Sequence, residues 1–255
     1  MSDNCFTDRM RRKIIVTGHY GSGKTEFAVS LAMLLGEAAE AGGRFFCFNE
    51  GEAEEPSPCF SPCVSVIDLD IVNPYFRSRE RRELLENAGI SVYGSVFENE
   101  ITAELPALGA SLRAPLENSS CRVIIDAGGN DTGALILNQF SKYFSDDDTT
   151  ILAIINANRP DTSDVDGVLE HISAIEKITE LRISGIVNNT HLLRETTADD
   201  IINGHTLCEK VSKATGICLM YNCYPEGIVD PGELTGLSEC LMPLGLYMRP
   251  TWLDK

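Results

Sequence analysis

The sequence is poor in positive charge. Its 21 lysines and arginines stand against 38 aspartates and glutamates, a formal net charge of −17 at pH 7. Such a chain repels nucleic acid and anionic membranes unless its basic residues are locally concentrated. The nearest concentration is Arg77, Arg79, Arg81 and Arg82, which Glu80 and Glu83 interrupt. It reads as a solvated helix face, and no nucleic-acid partner is expected. Long apolar runs are missing too. Nothing approaches the ~20 apolar residues of a membrane span. The apolar run behind the basic stretch Arg9–Lys13 stops at Gly18, too short for the core of a secretory signal. Histidine is scarce: His19, His171, His191 and His205 are the only four, and no two have metal-ligand spacing. A Gly-x-Ser-x-Gly elbow and an evident Cys–His nucleophile pair are also absent. The nine cysteines are scattered and odd in number, which suits free thiols in a reducing cytoplasm better than a disulfide framework. A cytoplasmic location is therefore expected.

What is present is a rhythm. Short apolar β-type runs alternate with longer helical stretches. Strands are expected at Lys13–Thr17, Val64–Asp68, Ile90–Tyr93, Arg122–Asp126, Thr150–Asn156, Arg182–Val187 and Gly216–Tyr221. Helices are expected at Lys24–Ala41, Arg79–Ala88, Ala134–Phe144, Asp164–Thr179 and Ala198–Thr215. The alternation implies βαβ units and a mostly parallel sheet with helices on both faces, an α/β three-layer fold. The 255 residues fit one such domain, 1–255. Residues 42–63 break the rhythm. Their acidic part, Asn49–Cys63, holds three prolines and two cysteines and reads as a surface insertion. Cys59 and Cys63, with Cys47 nearby, are candidates for a partial metal site, but no histidine is close and ordinary thiols are the plainer reading.

Gly18-His19-Tyr20-Gly21-Ser22-Gly23-Lys24-Thr25 matches the phosphate-loop pattern G-x4-G-K-[ST] in full. An expected strand precedes it and an amphipathic helix follows. The glycines let successive N–H groups converge on one cavity, and the helix start adds the positive end of its dipole. The nucleotide contacts are assigned to Gly18, Gly21, Ser22, Gly23, Lys24, Thr25 and Glu26. Lys24 supplies charge to the β/γ-phosphates, and the Thr25 hydroxyl is offered to Mg2+.

Two more strands end in aspartate. One closes at Asp68-Leu69-Asp70, and the other at Asp126 before Ala127-Gly128-Gly129-Asn130-Asp131. Asp68 and Asp126 are candidates for the Mg2+ shell, and Asp70 for orienting or deprotonating an attacking water. Of Asp68 and Asp70, at least one is expected to serve the site. Asp131 looks more like a helix cap. Two further strand ends, at Asn188-Asn189 and Asn222–Glu226, are placed to sandwich a purine.

These segments, in this order, resemble the MinD/ParA/Mrp branch of P-loop NTPases, in the class of nitrogenase iron protein and the metallocentre GTPases. The resemblance covers nearly the whole chain after residue 12. Asp68-Leu69-Asp70-Ile71-Val72-Asn73-Pro74 is similar to the D-x-D-x-x-x-P switch I of Mrp-like proteins, and Asp126-Ala127-Gly128-Gly129 stands where switch II would be. The resemblance implies base contacts from Asn189, preferred to Asn188, and from Pro225. It also implies an ATP-binding, Mg2+-dependent switch that acts on a protein partner and can pair with a second copy around nucleotide. MinD/ParA loops carry a second lysine after their first glycine, where this chain has His19, a side chain without fixed charge at pH 7. The guanine motif N-K-x-D of the maturation GTPases has no match in Asn188-Asn189-Thr190-His191, which favours adenine. The leading expectation is a slow ATPase. A small-molecule kinase or ATP-dependent ligase, with an acceptor pocket from Tyr93–Pro115, is one alternative. A GTP-binding metallocentre-maturation chaperone using Cys47, Cys59 and Cys63 is the other.

Overall fold

The computed structural model describes residues 10–40, 63–69, 81–94, 112–128, 135, 137–144 and 147–248. Eight strands form one sheet: β1 Lys13–Thr17, β2 Cys63–Asp68, β3 Ser91–Gly94, β4 Cys121–Asp126, β5 Thr149–Ile155, β6 Gly185–Asn188, β7 Cys218–Pro225 and β8 Leu241–Leu244. Their order is β3-β2-β4-β1-β5-β6-β7-β8. Every pairing is parallel. All strand C-termini therefore share one edge, where ligands bind in open α/β sheets.

Both faces of the sheet are covered, which is why the strands read as continuous apolar runs rather than alternations. Successive side chains still part to opposite faces. Ile14, Val16, Ile124 and Ile154 join one core with helix α1, Lys24–Glu40, and α2, Arg82–Asn87. Ile15, Ile125, Ile151 and Ala153 join the other with α3, Val165–Thr179, α4, Ala198–Thr215, and a short helix at 112–117. Helix α1 forms because Phe27, Leu31 and Leu35 recur at one-turn spacing, and all three are buried against the sheet. Asp164 caps α3 by accepting from Gly167 N, and Thr197 with Asp200 closes a capping box on α4. Gly216, at φ 77°, ends α4.

The opposite edge of the sheet is pinned by charge. Arg12 and Lys13 converge on Asp148, at 2.9 and 2.8 Å, as β1 and β5 begin side by side. Among the described residues no helix is long and apolar enough to cross a membrane.

The sequence-based strands are recovered with shifted ends. β6 starts at Gly185, not Arg182, and β7 runs on to Pro225. The stretch Asn222–Pro225 was expected to be a loop because it is polar. It is strand all the same, and its polar side chain points inside: Asn222 is fully buried and its Oδ1 accepts from Asn188 Nδ2 at 3.0 Å. The short strand β8, which contains Pro243, was not among the expected strands. β8 is the last strand in the order, at the sheet edge, where a missing N–H costs no ladder bond. Where a helix was expected over Ala134–Phe144, helical residues at 135 and 137–139 give way to a 3-10 turn, Ser141–Tyr143.

One expectation is overturned. Cys63 and Cys121 are not free thiols but form a disulfide, 4.6 Å between Cα atoms. They are register partners at the starts of β2 and β4, and strand pairing is what brings residues 58 apart in sequence together. Of the expected insertion 42–63, only Cys63 is described, and it is strand.

Candidate functional site

The phosphate-loop pattern joins β1 to α1 at the shared C-terminal edge. Its turn is closed by Ser22 N–H donating to His19 O at 3.1 Å. Phe27 N–H donates to Gly23 O, the first bond of the helical ladder, so the start of α1 presents the positive end of its dipole at the loop. Lys24 and Thr25 are buried, each 6% exposed. The Ser22 hydroxyl is fully buried and makes no hydrogen bond among the described residues.

Gly23 shows why this position must lack a side chain. Its φ is +81°, and a Cβ there would fall 2.4 Å from Asn189 Nδ2 and 2.9 Å from His191 Nε2. The loop after β6 thus presses directly on the phosphate loop. Asn189 Nδ2 donates to Ser22 O at 2.8 Å. That spends one amide hydrogen on the loop and leaves the rest of the amide for a base edge. Asn188 is ruled out as a base contact, because its amide is consumed internally. Its Nδ2 donates to Ile201 O and Asn222 Oδ1, and its Oδ1 accepts from Thr190.

A third wall comes from the loop joining β5 to α3. Asn156 Nδ2 reaches Gly21 O at 3.4 Å and His191 O at 3.3 Å. Arg159 Nε donates to Gly21 O at 2.9 Å. Asp161 pairs with His19 Nε2 at 3.4 Å, and the His19 ring meets His171 edge-on at 5.5 Å. Burial, helped by the charges of His19 and Lys24, lowers the His171 pKa to about 4. His191 is lowered to about 4 by burial and then by the Arg159 charge. His191 is therefore neutral near pH 7. Its Nδ1 accepts from Leu193 N–H at 3.3 Å, so its proton sits on Nε2, the atom against Gly23. None of Asn156, Arg159, Asp161 and His171 was singled out from the sequence as a site residue. The available signal was an apolar strand running into Asn156, like the other site strands.

On the other side of β1 lie the acidic strand ends. Asp68 and Asp126 are register partners on β2 and β4, and Asp126 is also the register partner of Val16 on β1. Both are buried, at 4% and 0% exposed. Carboxylate and hydroxyl oxygens, as Asp68, Asp126 and Thr25 carry, are the hard donors Mg2+ takes. Buried Ser22 and the glycine cradle fit the oxygens of phosphate. Asp70, the water-orienting candidate, lies outside the described residues, as do Asp131, Cys47 and Cys59. Cys63, the third thiol of the suggested metal site, is held in the disulfide. Among the described residues no group of three or more His, Cys, Asp and Glu is placed to hold a metal ion.

Two other assignments shift. Pro225 ends β7, buried beside Leu244 of β8, rather than standing in a loop. The Glu26 carboxylate does not face a ligand. It accepts from Tyr247 N–H at 2.5 Å and Met248 N–H at 3.1 Å, strapping the C-terminal segment to α1. Any Glu26 contact with nucleotide is then through its main chain.

Burial raises the Glu26 pKa from 4.5 to about 7, against the opposing pull of the two N–H donors. Folding thus favours the protonated acid. That contribution is complete below pH 4.5, is lost as pH rises towards 7 and is constant above. Glu26→Gln is neutral at every pH. Thermal melts should show wild type losing stability relative to this variant between those two pH values. A constant difference would remove the claim.

No protein-family model matches the chain, and no curated protein matches it. Solved structures do. Cell division protein FtsY of Thermotoga maritima superposes with a TM-score of 0.52 at 18% identity, covering 82% of this chain and 60% of that one. This chain has the P-loop NTPase fold. Signal recognition particle 54 kDa protein of Aeropyrum pernix K1, in complex with GDP, gives 0.49 at 17%, covering 86% and 42%. The chain therefore spans 60% and 42% of the lengths of those two proteins. At these identities the likeness is one of fold. A P-loop NTPase fold puts the β1–α1 loop where nucleotide phosphates bind, and here that loop carries the complete pattern.

Proposed function

We propose that the chain is an ATP-binding, Mg2+-dependent switch of the MinD/ParA/Mrp kind, with slow intrinsic hydrolysis and a protein partner that reads its nucleotide state. One juxtaposition carries the reading. The complete phosphate loop is gripped by Asn189 on one side, and the register-paired Asp68 and Asp126 stand on the other. Lys24 and the helix-start N–H groups would hold the phosphates. Thr25, Asp68 and Asp126 would hold the metal, which supplies charge neutralisation between the phosphates.

Adenine is preferred because no aspartate follows Asn189 to accept from guanine N1 and N2. Counted from Asn189, the aspartate position of N-K-x-D is Leu192, which has no side-chain acceptor, and the neighbouring His191 carries its proton on Nε2 as a donor. Slow turnover is supported by His19. It occupies the second-lysine position, and its Nε2 is already taken up by Asp161 of the same chain at 3.4 Å.

Calorimetric titration of the full chain with ATP and GTP, with and without Mg2+, tests the reading. Mg2+-dependent ATP binding tighter than GTP binding is expected. Absence of binding to either nucleotide in Mg2+ would end it. A partner that bound the ATP and ADP forms equally would leave a nucleotide-binding protein without a switch.

A further inference from the structure

Arg159 has a geometry that phosphate binding alone does not use. It stands on the loop between β5 and α3, and its Nε donates to Gly21 O at 2.9 Å. A Cβ built on Gly21 would lie 2.9, 3.0 and 3.2 Å from Nε, Cζ and Nη2. A point nearly equidistant from these three atoms lies over the guanidinium plane, not at its edge. Gly21, at φ +75°, thus backs one face of the guanidinium, and any side chain there would displace it.

Nη1 and Nη2 have no hydrogen-bond or ion-pair partner among the described residues, and the residue is exposed. Its charge is felt at His191, in the loop after β6. Asn156 ties the two neighbours together by donating to both Gly21 O and His191 O. Arg159 therefore stands against the phosphate loop at Gly21, the residue that Asn156 joins to the loop carrying Asn189.

We infer that Arg159 is a nucleotide-binding residue whose guanidinium stacks on the nucleobase, closing the base side of the phosphate loop. The inference rests on the nucleotide-binding reading above and adds the residue that separates a nucleotide from a bare polyphosphate. A base that reaches Asn189 would lie on the side of the cradle where Asn189 meets Ser22 and Gly23, next to the Gly21 carbonyl that Arg159 holds. A planar, weakly hydrated cation held there is the group suited to an aromatic face. Stacking is indifferent to which purine is present, because every base has a π face. Choice between adenine and guanine then falls to the Asn189 amide and the His191 donor, and affinity for either base to Arg159. Lysine would keep the charge but not the plane.

The test compares wild type, Arg159→Ala and Arg159→Lys by calorimetry in Mg2+, with ATP, GTP and inorganic tripolyphosphate as probes. Alanine is expected to weaken ATP and GTP by roughly tenfold each. Tripolyphosphate should be unaffected, within about twofold. Lysine should resemble alanine, because the stacking face is gone. Equal losses for tripolyphosphate would mean that Arg159 acts on phosphate or merely props Gly21, and would overturn the inference while leaving nucleotide binding standing. So would unchanged binding of all three probes, or full rescue by lysine. A wild type that bound no nucleotide would remove the function reading and this inference together.

Discussion

Lys24→Ala is expected to weaken Mg2+-ATP binding by about a hundred- to a thousandfold, the usual loss when one preorganised donor is taken from a desolvated anion site. The chain should fold as before. Lys24 is only 6% exposed, and an ammonium held in so dry a place is costly to the ligand-free protein. Its melting temperature without nucleotide should therefore hold or rise, while the rise that ATP gives wild type disappears. A second readout separates loss of charge from general damage. His171 is kept neutral by burial first, and then by the charges of His19 and Lys24. Removing Lys24 should move the His171 titration upward, which proton NMR can follow. If ATP affinity survived the substitution, the phosphates would not sit in the loop, and the proposed function would lose its basis.

What the sequence revealed follows from which contacts are local. The phosphate loop was legible because its glycines, its lysine and the following helix are contiguous. The apolar strands were legible because a sheet covered on both faces makes them runs. Asp68 and Asp126 could be picked as strand ends, although only strand order makes them register partners. The third wall was not legible. Arg159 lies 138 residues from the Gly21 carbonyl it holds, and nothing in its own neighbourhood indicates that β5 will pair with β1. Glu26 was assigned to the ligand because it adjoins Thr25, whereas the groups that engage its carboxylate come 221 and 222 residues later. Asn189 was singled out for a base contact, and the structure adds a bond to the loop backbone that spacing could not reveal. The disulfide was missed for the same reason as the third wall, since register, not composition, brings Cys63 to Cys121.

Asp126→Asn should separate metal use from phosphate binding. Asp126 is fully buried, and Asp68, 4% exposed, is its register partner one strand away. Register partners on parallel strands point to the same face, about 4.8 Å apart along the hydrogen-bonding direction. Two carboxylates so placed raise each other's electrostatic energy, and a divalent cation shared through direct or water-mediated contacts relieves it. Asparagine keeps the shape and removes one charge. The ligand-free melting of each protein is the baseline from which the effect of metal is read. Addition of Mg2+ to the ATP complex should then stabilise the variant far less than it stabilises wild type. The proposed ATP turnover should fall by about a hundred- to a thousandfold, because neutralisation of the developing phosphate charge is the larger part of catalysis in this chemistry. ATP binding without metal should stay within about threefold of wild type, since Lys24 and the loop N–H groups are untouched. Calorimetry with and without Mg2+, together with phosphate release, reads all three. Full Mg2+ dependence in the variant would place the metal elsewhere and leave Asp126 as a strand-end residue whose charge serves only the fold.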